Sequence, residues 1–312
     1  MSLPQQPIPL ALAEGLAWGQ LAMGLLGGLA LFLFGMDLMA YSLKVVAGDR
    51  MRVLLANLTR NRFAAMGTGA FVTAVIQSSS VTTVLLVGFL SAGLMGLGQS
   101  VGVILGANIG TTITAQIVAF KVTHYALAFV ALGFPLLAFA RRSRIKHHGK
   151  GLFGLGLVFL GMGIMGEAME PLRSHEPFVA WMASMGRPWL GILAGALFTA
   201  LVQSSSATTG VVIVLAGGGF ISLEAGIALC FGANVGTCVT ALLAAVGRPR
   251  VAMRLAAVHV LFNLLGVLLW LPLIAWLADA VRLVCHRSRV DSSLALPQFY
   301  YSKTTTNGVQ GV

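Results

Sequence analysis

The hydrophobic pattern of the chain consists of long apolar stretches broken by a few short polar clusters. Residues 63–120, 188–223 and 255–278 contain no Asp, Glu, Lys or Arg, and residues 20–43 contain only Asp37. An apolar run of about 18 residues or more is a candidate for a membrane-spanning helix. Backbone groups within lipid must bond to one another, so these spans are expected to be helices. The pattern predicts an all-α polytopic membrane protein.

The two most polar interruptions are nearly identical. TAVIQSSSVTT covers residues 73–83, and TALVQSSSATT covers residues 199–209. Serine is a strong helix N-cap, and polar side chains in lipid are costly unless they are satisfied. We therefore predict a helix break at Gln77–Ser80, followed by a helix from about Val81. Residues 63–98 could form two full spans, or a re-entrant pair with the polar run at its tip. A re-entrant break is tolerated only where it is buried in protein or lines a watery cavity.

Both interruptions belong to an internal repeat. Gln203 follows Gln77, and Asn234 follows Asn108, by the same 126 residues. The two halves align without a gap. At the start of the aligned stretch LFLFGMDLM pairs with LVFLGMGIM, and at its end GANIGTTITA pairs with GANVGTCVTA. A fixed period over this length indicates duplicated structural units. Each half contains an apolar helix with a Gly-Met pair, a connector, a QSSSxTT segment and a GANxGTxxTA segment.

The charges of the connectors predict that the two halves are inverted in the membrane. Residues 44–62 hold five Lys or Arg against one acid, whereas the equivalent residues 170–188 hold two against two. Residues 141–150 hold another five Lys or Arg. Because Lys and Arg accumulate in cytoplasmic loops, the first and third connectors are expected inside and the second outside. Inverted repeats are common in secondary transporters, which bind substrate near the bilayer midplane between the repeats.

These patterns give a predicted organisation of the whole chain. It comprises an N-terminal segment 1–19, a first transmembrane repeat 20–122, a span with a basic cytoplasmic loop 123–150, a second transmembrane repeat 151–280, and a tail 281–312. The ending QFYYSKTTTNGVQGV has no apolar periodicity, so we expect the tail to be disordered.

Composition excludes several other classes of protein. The chain is 57% hydrophobic and 9% charged, against about 25% charged in soluble domains. Its net charge of +11 lies in short connectors without interleaved aromatic residues, which argues against nucleic-acid binding. The three cysteines form no CxxC pair, so neither a disulfide framework nor a metal site is expected. No intramembrane acid lies near a candidate histidine, so a serine hydrolase triad is not expected and the protein is predicted not to be an enzyme.

The polar segments offer ligands for a small anion and for sodium. A helix N-terminus and serine hydroxyls bind anions, and amide and hydroxyl oxygens suit sodium. In the GANxGT segments, Gly106 and Gly110 would permit unusual backbone angles, so we predict a discontinuous helix there. Small and hydroxyl residues also pack helices together in membranes. The duplication of the polar clusters at identical spacing favours a binding site over packing.

Three further polar residues have two interpretations each. Asp37 is either a functional intramembrane acid or a partner of Lys44 near the end of its span. His259 and Asn263 lie four residues apart on one helical face, where they either line a cavity or bond to a neighbouring helix, the latter being favoured.

The paired QSSS motifs, the paired GAN[IV]GT motifs and HVLFN at 259–263 resemble the sodium-dependent phosphate cotransporter family, the type II group with its bacterial relatives. The resemblance covers about residues 20–280. It implies two inverted repeats whose QSSS segments form re-entrant helical hairpins around a central phosphate and sodium site. It also implies, in many bacterial members, a cytoplasmic regulatory domain after the membrane part.

The resemblance, together with the motif chemistry, selects the candidate binding residues. The QSSSxTT candidates are Gln77, Ser78, Ser79, Ser80, Thr82, Thr83, Gln203, Ser204, Ser205, Ser206, Thr208 and Thr209. The GANxGT candidates are Asn108, Thr111, Thr112, Asn234 and Thr237. Sodium is expected at Gln77, Ser79, Gln203 and Ser205.

The implied function is sodium-coupled secondary transport of inorganic phosphate by alternating access in the cell (inner) membrane. The expected partners are phosphate, sodium and the lipid bilayer, without a cofactor beyond the coupling ion. The residues leave open the direction, the stoichiometry and a homo-oligomeric state. They also leave open a phosphate-sensing regulatory protein that transports nothing, and a transporter of another anion such as sulfate or a carboxylate.

Overall fold

The computed structural model describes residues 10–47, 61–119, 123–175, 178 and 187–287. The helices are α1 (Leu10–Ala47), α2 (Arg62–Ile76), α3 (Ser79–Ser91), α4 (Leu97–Ala119), α5 (Ala126–Phe139), α6 (Ser143–Met169), α7 (Pro188–Val202), α8 (Ser205–Gly217), α9 (Leu223–Ala245), α10 (Arg250–Trp270) and α11 (Ile274–Arg287). Short 3-10 turns lie at Thr123–Tyr125, Glu170–Ser174 and Leu271–Leu273. No strand occurs in the described ranges.

Among the described residues, five helical stretches are long and apolar enough to cross a membrane. They are Trp18–Val46, Leu97–Ala119, Ser143–Leu172, Leu223–Ala245 and Arg250–Val284. Many large apolar side chains on the outside are exposed, as they would be against lipid. The prediction of an all-α polytopic membrane protein is confirmed.

The helix boundaries follow the sequence repeat. Each of α2, α3 and α4 begins and ends 126 residues before its equivalent, α7, α8 or α9. Helices α2 and α3 have 15 and 13 residues, so each is about 20 Å long and too short for a hydrocarbon core of about 30 Å. Of the two arrangements that the sequence left open, these lengths favour the hairpin.

Helices α1 and α6, which are equivalent in the two halves, pack against each other in opposite directions. A Cβ added at Gly24 would lie 2.5 Å from Ala168 Cβ, and one at Gly35 would lie 2.6 Å from Gly154 O. Residue numbers therefore rise along α1 as they fall along α6. The glycines are needed because the two backbones approach more closely than any side chain would allow.

Helices α4 and α9 run without interruption through the GANxGT segments, so the predicted discontinuous helix is wrong. Gly106 and Gly110 have ordinary helical backbone angles, since neither is among the residues with positive φ. They serve close packing instead, because a Cβ would lie 1.9 Å from Met66 O at Gly106 and 2.4 Å from Ala70 O at Gly110. Gly232 and Gly236 press against α7 in the same way, with equivalent distances of 2.1 and 2.5 Å.

Several predicted connectors lie at or beyond the limits of the described structure. Most of 44–62, part of 170–188 and the tail from residue 288 lie outside the described residues. Helix α11 continues past residue 280 to Arg287. Arg282 ties this helix to α9 through an ion pair of 2.5 Å with Glu224.

Candidate functional site

The first QSSS motif is a sharp break between two helices. Helix α2 ends at Ile76, Gln77 has left-handed backbone angles (φ 60°, ψ 24°), and Ser78 is extended. Helix α3 then begins at Ser79, and Ser78 caps it because its Oγ accepts a hydrogen bond of 3.3 Å from the Val81 N–H. The predicted break is confirmed, and the second helix begins two residues earlier than expected.

The second motif repeats this geometry. Gln203 has φ 59° and ψ 24°, and Ser204 Oγ accepts a hydrogen bond of 3.2 Å from the Ala207 N–H. Gln77 and Gln203 are the only non-glycine residues with positive φ in the described part of the chain. A left-handed backbone is unfavourable for a residue with a Cβ, so its presence at both motifs marks a constrained position.

Threonine pairs join the two arms of each hairpin close to the break. Thr73 Oγ1 and Thr82 Oγ1 are 2.9 Å apart, and the equivalent Thr199 and Thr208 hydroxyls are 2.5 Å apart. All four side chains are buried. These bonds bring α3 back alongside the end of α2, and α8 back alongside the end of α7.

The two breaks line one cavity of about 510 Å³. Its polar lining contains all eight residues of the two QSSS motifs: Gln77, Ser78, Ser79, Ser80, Gln203, Ser204, Ser205 and Ser206. Segments 126 residues apart in sequence therefore face the same space. The N-termini of α3 and α8 both begin at this cavity, so the free N–H groups and partial positive charges of two helices lie at its wall.

The cavity also contains charged residues contributed by α1. Asp37, Tyr41 and Lys44 line it beside the QSSS motifs. Asp37, which had two interpretations, therefore lies at the cavity, although its repeat mate is a glycine. Lys150 lies in the basic N-terminal part of α6, and its Nζ is 4.1 Å from the centroid of the Tyr41 ring.

The threonines of the QSSSxTT segments lie behind the serines rather than in the cavity lining. The Thr82 and Thr83 hydroxyls donate to Ser78 O and Ser79 O at 3.1 and 2.9 Å. Thr208 and Thr209 make the equivalent bonds to Ser204 O and Ser205 O. Their hydroxyls thus bond to the first turn of their own helices, an arrangement that supports the geometry of the break.

The GANxGT candidates are not brought to the cavity. The Thr111 and Thr237 hydroxyls donate to carbonyls one turn earlier in their helices, at 3.0 and 2.9 Å. Thr112 and Asn234 are exposed. Asn108 Nδ2 donates to Asn263 Oδ1 at 3.4 Å, which links α4 to α10.

His259 and Asn263 belong to a buried polar contact between helices. Asn263 Nδ2 donates to His259 O at 2.9 Å and contacts Cys238 Sγ at 3.5 Å. With the bond from Asn108, Asn263 connects α10 to both α4 and α9. For Asn263, bonding to neighbouring helices is the interpretation that the structure shows, whereas the His259 side chain is buried and its Nδ1 has no hydrogen-bond partner among the described residues.

A residue outside the predicted set contacts the motif directly. Thr240 Oγ1 donates to Gln203 Oε1 at 2.7 Å, and Thr240 is the last threonine of the GANVGTCVTA segment. The sequence signal was present, because this threonine recurs as Thr114 in the first half. Gln203 and Thr240 are 37 positions apart in the sequence, so the contact could not be predicted from local sequence.

A GxSxG pattern at Gly98–Gly102 matches the nucleophile elbow of hydrolases in letters only. That elbow requires a strand-to-helix turn with an exposed serine. Here the pattern lies within α4, and Ser100 is fully buried and donates to Gly96 O at 3.1 Å. It supplies no nucleophile.

Comparison with known proteins identifies the family. A family model described as Na+/Pi-cotransporter matches residues 31–167 and 173–282. The uncharacterized protein YqeW of Bacillus subtilis (strain 168) is 31% identical over 242 residues, which are 77% of this chain and 78% of YqeW. YjbB of Escherichia coli (strain K12), whose name proposes inorganic phosphate export, is 30% identical over 82% of this chain and 48% of its own length. The chain thus spans about half of YjbB.

Animal proteins match over a shorter stretch. The sodium-dependent phosphate transport protein 2B of Rattus norvegicus is 43% identical over 109 residues, which are 33% of this chain and 15% of that protein. No solved structure matches the chain significantly. Because the family model covers well over half of the residues, the chain belongs to the Na+/Pi-cotransporter family.

Proposed function

We propose that this chain is a secondary active transporter of inorganic phosphate coupled to sodium, located in the cell (inner) membrane. The observation that carries the proposal is the convergence of both QSSS motifs on one cavity. Family membership indicates phosphate and sodium as the substrates, and the names of the relatives agree with phosphate as the cargo.

The cavity suits an anion because it combines helix N-termini with hydroxyl donors. Helices α3 and α8 each have 13 residues, and their unpaired N–H groups attract negative charge. Ser79 and Ser205 open these helices and add hydroxyl donors at the lining. Lys44 contributes a formal positive charge to the same lining. Phosphate would be bound by many hydrogen-bond donors but by little net positive charge. Its binding would therefore be weak enough to permit release.

The same motifs provide oxygen ligands for the coupling ion. The amide oxygens of Gln77 and Gln203 and the hydroxyls of Ser79 and Ser205 are neutral, hard ligands suited to sodium. Asp37 is the carboxylate of the cavity lining, where it would balance positive charge during the cycle. We assign sodium to the glutamine side of each break and phosphate to the helix N-termini.

Alternating access would depend on an inverted orientation of the two repeats. The equivalent helices α1 and α6 run in opposite directions, which supports an inverted arrangement of the two repeats. Rocking of one repeat against the other around a fixed midplane site would expose the cavity to each side of the membrane in turn.

The test is transport of labelled phosphate by the purified chain in proteoliposomes with an imposed sodium gradient. Uptake and efflux are measured in parallel, because the name of YjbB proposes export. We expect transport of labelled phosphate to be lost when choline replaces sodium. Unlabelled phosphate should inhibit this transport more strongly than sulfate does. Equal phosphate transport in choline and in sodium would refute sodium coupling. Absence of counterflow of labelled phosphate would indicate a sensor rather than a transporter.

Serine variants test the site itself. Ser79→Ala and Ser205→Ala should each raise the phosphate concentration for half-maximal transport, because each removes a hydroxyl at the cavity. Ser100→Ala is the matched control, since Ser100 is buried in α4 and does not line the cavity. Wild-type phosphate dependence in both cavity variants would reject these serines as ligands.

A further inference from the structure

Asp37 is the acidic side chain among the residues that line the cavity. It lies on α1, within the apolar stretch 20–43, where it is the single charged residue. Lys44, the other charge of the lining, follows seven residues later, about 10 Å along the helix. Among the described residues, no hydrogen bond or ion pair engages the Asp37 side chain. Its carboxylate oxygens therefore remain available as acceptors for whatever enters the cavity.

The packing of α1 against α8 places Asp37 level with the second helix break. Phe32 on α1 lies against Gly210 on α8, because a Cβ added to Gly210 would collide with the Phe32 ring. Four residues further along α1, Met36 is buried in the same apolar cluster as Ala207, which is three residues closer to the break on α8. Rising numbers on α1 thus accompany falling numbers on α8. Asp37, which follows Met36, therefore lies level with the first residues of α8, which line the cavity.

A carboxylate beside an anion distinguishes tetrahedral anions by their protons. An ionised carboxylate accepts hydrogen bonds and donates none. Phosphate near neutral pH retains at least one proton, so one of its hydroxyl groups can donate to the carboxylate. Sulfate has the same tetrahedral shape but carries no proton at this pH, so it would meet the carboxylate as a second acceptor with a repelling charge. A site that requires a hydrogen bond from its substrate strongly rejects analogues that cannot donate it.

The rest of the polar lining does not make this distinction. Helix N-termini and serine hydroxyls donate to any tetrahedral anion, and Lys44 attracts any negative charge. The donors are supplied by both halves of the chain. The acceptor is supplied once, because the repeat mate of Asp37 is Gly163. One charged acceptor among many donors matches an anion that carries one proton.

We propose that Asp37 determines the specificity of the cavity: its carboxylate accepts a hydrogen bond from the protonated oxygen of phosphate and excludes sulfate. The inference rests on the proposed function, because it takes this cavity as the phosphate site. It adds a discrimination that the QSSS motifs alone do not provide.

The test measures anion binding rather than transport. Thermal unfolding of the purified chain in detergent, at constant sodium, is followed as phosphate, arsenate, sulfate or fluorophosphate is added. Arsenate retains a proton as phosphate does, whereas fluorophosphate and sulfate lack one near neutral pH. Phosphate and arsenate should stabilise the wild-type chain at concentrations about tenfold or more below those of fluorophosphate and sulfate.

Replacement of Asp37 should remove this selectivity. The amide of Asp37→Asn has the size of the carboxylate but can donate a hydrogen bond. Sulfate and fluorophosphate should therefore bind about tenfold more tightly, while the ratio of arsenate to phosphate affinity stays within about twofold. Asp279→Asn is the matched control, since Asp279 pairs with Arg282 on α11 and does not line the cavity. It should keep the wild-type selectivity, and Asp37→Glu, which retains a carboxylate, should still reject sulfate.

Three results would overturn the proposal. The first is a wild-type chain that binds sulfate and fluorophosphate as tightly as phosphate. The second is unchanged anion selectivity in Asp37→Asn; a higher sodium requirement in that variant would then assign the carboxylate to the coupling ion. The third is a chain that binds none of the four anions, which would also refute the phosphate site. Selective anion binding without transport in proteoliposomes would refute the proposed transport and leave this inference standing.

Discussion

Gln77 and Gln203 hold the same left-handed backbone conformation, with φ of 60° and 59°, and line the same cavity from opposite halves of the chain. Each is the joint of a helical hairpin, and each is followed directly by a serine cap. The strained residue is thus the one that turns a helix N-terminus toward the cavity. A conformation that costs free energy at two equivalent joints is retained because both joints serve the site.

Replacing either joint should separate the backbone role of glutamine from its side-chain role. Glycine adopts positive φ without strain, whereas alanine does not. We expect Gln77→Gly to unfold at a higher temperature than Gln77→Ala, by the equivalent of about 1 kcal/mol. Both variants should lose sodium-dependent phosphate transport, since both lack the amide. An alanine variant as stable as the glycine variant would show that the joint is not strained.

The glycines of the GANxGT segments should be intolerant of any side chain. A Cβ at Gly106 or Gly232 would lie about 2 Å from a backbone carbonyl of the adjacent helix, and a rigid carbonyl cannot move aside. We expect Gly106→Ala and Gly232→Ala to prevent accumulation of folded protein in the membrane. Gly98→Ala is the control, because nothing lies within 4 Å of its Cβ in the same helix. That change should be neutral or add up to about 1 kcal/mol of helix stability, measured by melting temperature in detergent.

The threonine pair across the first hairpin should be energetically coupled. Thr73 and Thr82 share a buried hydrogen bond of 2.9 Å, and the Thr82 hydroxyl also donates to Ser78 O, so removing the Thr82 hydroxyl takes away the partner of the Thr73 hydroxyl. A double-mutant cycle of Thr73→Val and Thr82→Val should give a coupling energy of about 0.5–1.5 kcal/mol, with the double variant more stable than the sum of the singles predicts. Chemical denaturation in mixed micelles measures it. Additive effects would mean that the two hydroxyls do not stabilise the hairpin.

Local sequence was informative where one residue type has one structural use, and less so where it has two. Ser78 after an apolar run predicts a cap and therefore a break, which the structure contains. Gly106 was expected to supply an unusual backbone angle, but it supplies close helix contact, and sequence cannot distinguish these two uses of glycine. The bond from Thr240 to Gln203 and the position of Asp37 at the cavity both depend on how distant helices pack. The pattern of a single sequence does not specify how distant helices pack.

The cavity predicts which substituted cysteines will be protected by substrate. In a background where Cys230, Cys238 and Cys285 are alanine, Ser79→Cys and Ser205→Cys should react with a water-soluble thiol reagent and lose transport, because both positions line the cavity. Phosphate with sodium, at ten times the half-saturating concentration, should slow this inactivation about tenfold by occupying the site. Ser91→Cys at the far end of α3 is the control, since its modification should leave transport intact and its rate should not depend on phosphate. Protection at only one of the two cavity positions would place the phosphate against a single hairpin, and protection at neither would remove phosphate from this cavity.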